Sequence, residues 1–317
     1  MCFLDLVDVT LRDGGHQVNF DWPVEIARDL IHALGATQVK FVELGYWRQT
    51  GKFSGGFYNF GPGLLEELVS VKPENINFAM MVDHHYCPKE LSVYPEVKDG
   101  LDLMRITARK EEVEDAARFA QDLREVSGCR TSVNIFNVTN YDDEEIKRAL
   151  DLLAVDPPDF VYFADTHGAL NLDYEQERFG LYAEAIKQFG SIPGFHLHNH
   201  SGKAMSNFEL LPSLGFEVAD ASLNGLGKGL GNLKLEEVLS TTESLDVLDV
   251  WRRFPRWFSM PQNPFGIIGA SASVTDHYAE QALVSGMSTR EFFSRISHLT
   301  GTDKDNFKKD FLTGGSQ

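Results

Sequence analysis

The residues best suited to chemistry lie in two short segments, TLRDGGH near the start of the chain and FHLHNH in its second half. The first gathers a guanidinium, a carboxylate and an imidazole in Arg12, Asp13 and His16. The second places His196 and His198 two residues apart, so both imidazoles project from the same face of a β-strand. Two imidazoles and one carboxylate form a common ligand set for a catalytic divalent metal. The two segments therefore predict a metal site if the fold brings them together.

A third segment, GLGKGLGN at 225–232, is rich in glycine. Its GxGxGxG spacing follows the last predicted strand, and no βαβ unit with a ribose-binding acid comes after it. A dinucleotide fingerprint is therefore not favoured. A glycine-rich turn before a helix can instead bind an anion or run close to a metal site. Asn232, at the end of this turn, is a further candidate ligand.

Short β-rich runs and amphipathic helical runs alternate along the chain. The strand candidates are 6–12, 39–45, 76–82, 101–107, 131–138, 159–165, 194–199 and 218–224. The clearest helix candidates are 23–35, 111–128 and 141–155. Strands that alternate with helices form parallel βα units, and eight such units predict a (β/α)8 TIM barrel. A doubly wound open sheet is the alternative fold. In a barrel, catalytic groups lie at the carboxyl ends of the strands, where the three segments fall.

The predicted barrel occupies residues 1–240, and residues 241–317 are expected to form a short, mostly helical extension packed on the barrel. Alternation along the first strand predicts that Val7 and Val9 face the surrounding helices. The same alternation places Asp8 in the barrel interior, with Arg12 at the end of that face.

Composition narrows the class of protein. The chain has 317 residues and a formal net charge of −18, which argues against nucleic acid and anionic membranes as partners. Three scattered cysteines, Cys2, Cys87 and Cys129, predict a reducing compartment and no disulfide framework. We recognise no signal peptide and no run of 18 apolar residues. A cytoplasmic location is therefore expected.

Together, TLRDG-x-H, HLHN and GLGKGLGN resemble the motifs of the DRE-TIM metallolyase superfamily, also called the HMG-CoA lyase-like family. The resemblance spans roughly residues 5–240. Within the superfamily the sequence is most similar to the bacterial 4-hydroxy-2-oxovalerate aldolases. The spacing RDG-x-H, the loop SGGFYNFGPG and the segment VADASLNGLGKGLGN carry that closer likeness.

This resemblance implies that Asp13, His196 and His198 bind a divalent metal. Asn232 aligns with an asparagine that is a ligand in some members. The resemblance favours Mn²⁺ or Mg²⁺, and a mixed nitrogen and oxygen site also accepts Co²⁺ or Zn²⁺.

The resemblance also implies a carbon–carbon lyase, namely a class II pyruvate aldolase that cleaves or forms a 4-hydroxy-2-oxo acid. Arg12 aligns with the arginine that stabilises the pyruvate enolate, and His16 aligns with the general base. Glu43 is expected to face inward from the second strand. We assign substrate binding to Arg12, Glu43, Tyr46 and Tyr58. The expected partners are a small 2-oxo acid and an aldehyde, and the usual family arrangement is a homo-oligomer.

Alternatives within the superfamily stay open at this stage. Claisen-type acyl-CoA condensing enzymes of the isopropylmalate synthase type share the HxHN motif, but they usually carry a longer region after the barrel. Carboxyltransferases use a lysine where this chain has Ala164, and the glycine-rich loop lacks the cysteine of the HMG-CoA lyases. A non-catalytic barrel is disfavoured because no motif residue is lost.

The resemblance leaves open the enzyme's protein partner and the nature of its aldehyde. The C-terminal residues do not match the part through which the aldolases dock an acylating aldehyde dehydrogenase, so that partner stays open. The cations Arg48, Lys52 and Lys228 suggest the hypothesis that the aldehyde is anionic or phosphorylated.

Overall fold

Eight parallel strands close into a barrel in which each strand pairs with the next and the last pairs with the first. The computed structural model describes residues 4–48, 52–260 and 263–312. Cys2 and part of the loop WRQTGKF therefore lie outside the described residues. The strands are β1 (Asp5–Asp8), β2 (Val39–Tyr46), β3 (Asn77–Asp83), β4 (Leu103–Ala108), β5 (Arg130–Ile135), β6 (Phe160–Asp165), β7 (Ile192–Leu197) and β8 (Val218–Ala221). The predicted TIM barrel is confirmed, and the doubly wound alternative is wrong.

Helices follow most of the strands, and the last of them form the segment after the barrel. They are α1 (Val24–Leu34), α2 (Pro62–Val69), α3 (Val113–Ser127), α4 (Asp143–Leu153), α5 (Gln176–Gln188), α6 (Ala204–Leu210), α7 (Leu235–Val238), α8 (Thr241–Arg253), α9 (Pro264–Ser271), α10 (Asp276–Ser285) and α11 (Thr289–Ile296). Local signals fix their ends. Asp142 and Glu145 form a reciprocal capping box at the start of α4, and Gly128 ends α3 in the left-handed conformation.

The predicted facing of β1 is wrong. Val7 and Val9 belong to a small apolar layer inside the barrel, together with Phe41 and Tyr162. Val7 lies opposite Asp220 of β8, whose carboxylate also points into the interior. The strand ends at Asp8 and the chain then turns, so strict alternation cannot be extended along the whole predicted run.

Asp8 instead faces the helices. It aligns with Val42 of β2 and Ala221 of β8, and both of these residues pack in the main core between strands and helices. The Asp8 carboxylate is fully buried and accepts hydrogen bonds from the amide and the hydroxyl of Thr10 at 3.2 and 2.6 Å. Its polarity is thus satisfied locally, without access to the barrel interior.

The helices after the barrel have an apolar cluster of their own, centred on Phe265, Tyr278 and Phe292. The division of the chain at residue 240 stays a prediction. Cys87 and Cys129 are buried free thiols. Among the described residues, no helix combines the length and the apolar character needed to cross a membrane.

Candidate metal centre and active site

The turn after β1 carries the first group of candidate residues. Asp13 is anchored by its amide, which donates to the carbonyl of Val9 at 2.8 Å, and a short 3-10 helix (Gly14–Gln17) follows. Gly15 is required here because a Cβ at this position would lie 2.3 Å from the ring of Phe20. The tight turn places the side chains at 12, 13 and 16 around the rim of the barrel.

The structure brings Asp13, His196 and His198 together. One ligand atom from each lies within 4.8 Å of the others, and all three residues are buried. The Nε2 atoms of the two imidazoles are 3.2 Å apart. The Nδ1 atom of His196 lies 2.8 Å from a carboxylate oxygen of Asp220, which leaves the Nε2 atom to face the cluster. A carboxylate behind a ligand histidine is the usual outer arrangement of a protein metal site.

The donor set fits a divalent metal ion. Arg12 and the neighbouring imidazoles hold the pKa of Asp13 well below its usual range, although burial acts to raise it. Burial and the neighbouring His196 lower the pKa of His198. A deprotonated carboxylate and a neutral imidazole are the forms that bind metal. The buried Oδ1 of Asn232 has no hydrogen-bond partner in the described structure, which makes it available as an additional oxygen donor.

Asp13 is held on both of its oxygens. Arg12 donates to Oδ1 at 2.6 Å, and Asn232 donates through Nδ2 to Oδ2 at 2.8 Å. The amide of Lys228 also donates to Oδ2, at 3.3 Å. The glycine-rich loop after β8 therefore orients the carboxylate, and as placed Asn232 acts on Asp13 through its amide nitrogen.

Buried ion pairs connect the turn after β1 to the histidines. The Nε of Arg12 donates to Glu43 at 2.5 Å. The other oxygen of Glu43 lies 3.2 Å from Nη1 of Arg105, whose Nη2 donates to Asp220 at 2.7 Å. Asp220 in turn contacts His196. Sequence reasoning found Glu43 and missed Arg105 and Asp220, although a lone arginine inside an apolar strand was an available signal.

His16 lies in an aromatic surround. Its ring makes edge contacts with Phe20, Phe53 and Tyr46, at centroid distances of 4.9, 6.0 and 6.4 Å. Burial lowers its pKa to about 4, so the imidazole is neutral near pH 7. None of the hydrogen bonds found among the described residues involves this ring, which leaves both nitrogens available.

The two tyrosines predicted to bind substrate surround Arg48. Its guanidinium stacks on the rings of Tyr46 and Tyr58 at 4.3 and 4.5 Å and donates to the hydroxyl of Tyr58. It also pairs with Asp83 at 2.5 Å. Tyr58 is thus engaged by Arg48, whereas Tyr46 lies between Arg48 and Arg12, whose guanidinium is 5.8 Å from the Tyr46 ring.

Two of the three cations considered for an anionic aldehyde already have carboxylate partners. Arg48 pairs with Asp83, and Lys228 pairs with Asp276 at 2.6 Å. Lys52 is exposed and lies 5.3 Å from the ring of Phe53. These ion pairs weaken the case for an anionic substrate group at Arg48 or Lys228.

The structure is a TIM barrel with a buried Asp/His/His cluster, a candidate metal site, at the carboxyl ends of its strands. The HMGL-like family model matches residues 97–251. This match confirms the resemblance to the DRE-TIM superfamily.

Curated relatives give the more particular assignment. A 4-hydroxy-2-oxovalerate aldolase of Brevibacillus brevis is 26% identical over 249 residues, which cover 76% of this chain and 70% of the relative. The enzyme of the same name from Thermus thermophilus is 26% identical over 255 residues, which cover 78% and 72%. These relatives confirm the prediction of a carbon–carbon lyase similar to 4-hydroxy-2-oxovalerate aldolase.

Solved structures share the fold. The N-terminal domain of a proposed aldolase from Bacteroides vulgatus superposes with a TM-score of 0.74 at 17% identity, covering 89% of this chain and 97% of that domain. The carboxyl transferase domain of Rhizobium etli pyruvate carboxylase superposes with a TM-score of 0.69 at 15% identity, covering 93% of this chain and 56% of that one. At these identities the likeness concerns the fold alone.

Proposed function

We propose that the protein is a divalent-metal-dependent pyruvate aldolase. It cleaves or forms a 4-hydroxy-2-oxo acid, with pyruvate and an aldehyde as the other reactants. The supporting observation is the buried cluster of Asp13, His196 and His198, to which Arg12 is hydrogen-bonded and whose carboxylate feels the nearby His16 imidazole. The names of the curated relatives support the same reaction class.

When bound at this cluster, Mn²⁺ or Mg²⁺ supplies Lewis-acid polarisation of a substrate carbonyl. Arg12 stabilises the charge that develops on the enolate oxygen. Its Nε and Nη1 are occupied by Glu43 and Asp13, while its Nη2 makes no hydrogen bond within the described residues. A cation held rigidly by two carboxylates needs little reorganisation during the reaction, which is the condition for electrostatic transition-state stabilisation.

His16 is the proposed general base. In the cleavage direction, a ring nitrogen takes the proton from the 4-hydroxyl group, the C3–C4 bond breaks, and its electron pair passes into the enolate of pyruvate. The aldehyde forms at C4. In the synthetic direction the same imidazole returns the proton. The low pKa of His16 keeps it in the basic form throughout the neutral range.

The function is tested by pyruvate release from 4-hydroxy-2-oxo acids of several chain lengths. The protein is first treated with a chelator and then supplied with Mn²⁺. We expect release only after Mn²⁺ is added, and we expect it to fall by at least about 100-fold in His16→Ala.

His32→Ala provides a matched control, because His32 is exposed in the last turn of α1 and is not one of the residues of the candidate site. This variant is expected to keep wild-type rates. A protein that binds Mn²⁺ and releases pyruvate from none of these acids would refute the aldolase proposal.

A further inference from the structure

The helical segment after the barrel reaches back to the glycine-rich loop. Asp276 is the first residue of α10 and only 8% of its surface is exposed. Its Oδ1 lies 2.6 Å from the ammonium group of Lys228 in the loop. The same segment contacts the rim a second time, where Asp305 accepts a hydrogen bond from Asn140 at 2.8 Å.

The backbone of Lys228 makes several contacts within and around this loop. Its amide donates to Oδ2 of Asp13, and its carbonyl accepts from the amide of Gly231 at 3.1 Å. The carbonyl also lies 3.2 Å from Nε2 of His200. Lys228 is therefore linked to Asp13 by a hydrogen bond from its own backbone amide, so a shift of the Lys228 backbone would alter that contact.

The loop is conformationally permissive without an external restraint. Gly229 and Gly231 adopt φ angles of +62° and +91°, and glycine populates such conformations at little steric cost. This freedom is entropically costly to lose on ordering. The ion pair with Asp276 offers a restraint from a separate segment: the Asp276 side chain is buried, while that of Lys228 is partly exposed.

We propose that Asp276 is a positioning residue for the metal centre, which acts by holding Lys228 and thereby the loop that orients Asp13. This inference rests on the proposed function only for the presence of a metal at the cluster. The segment after the barrel then forms part of the working site, and metal affinity depends on contacts made far outside the ligand set. Partners that orient metal ligands typically alter metal affinity by 10–100-fold when they are removed.

The competing explanation is that Asp276 merely stabilises α10. An acidic residue in the first turn of a helix is favourable for the helix by itself. Lys228→Met separates the two explanations, since it removes the ion pair and leaves Asp276 in the first turn. The methionine also keeps an unbranched apolar side chain of similar length.

The experiment measures Mn²⁺ binding to the full chain by isothermal titration calorimetry, without any substrate. We expect Asp276→Asn and Lys228→Met each to weaken Mn²⁺ affinity by about tenfold. Because both changes break one ion pair, the double variant is expected to be no weaker than the single variants, within about twofold. Asp276→Glu, which keeps the carboxylate, is expected to retain most of the wild-type affinity for Mn²⁺.

Asp303→Asn is the matched control. Asp303 lies in the same C-terminal segment, and its carboxylate also pairs with a lysine, Lys308, at 2.6 Å, but near the surface. The Asp303→Asn variant is expected to bind Mn²⁺ with the affinity of the wild type. Should Asp276→Asn fail to fold, the comparison of Lys228→Met with this control decides the question.

The inference is overturned if Lys228→Met binds Mn²⁺ as the wild type does, or if the two single changes weaken binding independently in the double variant. Wild-type protein that binds Mn²⁺ but releases no pyruvate would remove the proposed function and leave the role of Asp276 standing. Wild-type protein that binds no Mn²⁺ would overturn both.

Discussion

Replacing Arg105 with methionine removes a guanidinium that neutralises two buried carboxylates. Arg105 is fully buried, with Nη2 2.7 Å from Asp220 and Nη1 3.2 Å from Glu43. Methionine fills much of the apolar volume but cannot pair with either carboxylate. Removing one member of a buried ion pair typically costs about 3–5 kcal/mol of unfolding free energy. Because Arg12 still pairs with Glu43 and His196 still contacts Asp220, we expect a loss of about 4 kcal/mol rather than twice that.

The loss is measured by urea unfolding at pH 7, followed by circular dichroism. Arg118→Met is the control, since Arg118 is exposed on α3 and pairs with Glu114 at 3.1 Å; it is expected to change stability by less than about 1 kcal/mol. Mn²⁺ affinity should also fall in Arg105→Met, because Asp220 would no longer be fixed behind His196. Equal small losses in both variants would refute the idea that the interior ion pairs stabilise the barrel.

The remaining predictions concern pH and packing. Burial lowers the pKa of His16 to about 4, so kcat/KM for pyruvate release should stay level from pH 8 to about 5; an acid limb near pH 6.5 would contradict this. Burial raises the pKa of Asp8 to about 7, from about 4 in an unfolded chain. Its neutral form thus stabilises the fold at low pH, and this contribution is lost as pH rises from about 4 through 7. The free energy of unfolding should therefore fall less between pH 5 and pH 8 in Asp8→Asn than in the wild type. Equal falls in both proteins would count against a buried, neutral Asp8. Gly15→Ala forces a Cβ to within 2.3 Å of the Phe20 ring and should lower stability by about 1–3 kcal/mol, together with the rate. Gly61→Ala, where no atom lies within 4 Å of the added Cβ, should change little, and a similar loss in both would exclude the clash as the cause.

Much of the barrel was predictable because buried parallel strands are short apolar runs and the helices between them carry period and cap signals. The helix predicted at 141–155 is observed as Asp143–Leu153. The first strand was less predictable. Its run continues to residue 12, but the structure ends β1 at Asp8, because the Asp8 carboxylate binds the backbone and hydroxyl of Thr10 and turns the chain.

The ligand cluster was predictable because carboxyl ends of parallel strands converge, whatever the details of packing. The charged residues that support this cluster, Arg105, Asp220 and Asp276, were not predictable. Arg105 meets Asp220 across the barrel only because of the register in which β1 and β8 close the sheet. Asp276 meets Lys228 only after the chain has folded back over the rim. Such contacts depend on three-dimensional closure, for which neither motif spacing nor periodicity carries a signal.

The hydrogen bond between Asp13 and Asn232 joins residues 219 positions apart in the chain. The metal cluster likewise draws on the first turn and on β7. A chain emerging from the ribosome therefore cannot assemble this centre until almost the whole barrel has been synthesised and its two ends have met. An ion bound there would join the turn after β1 to β7 and would favour the closed barrel by mass action. Metal binding at this centre would then stabilise the closed barrel, and an occupied centre would be a sign that the barrel has folded.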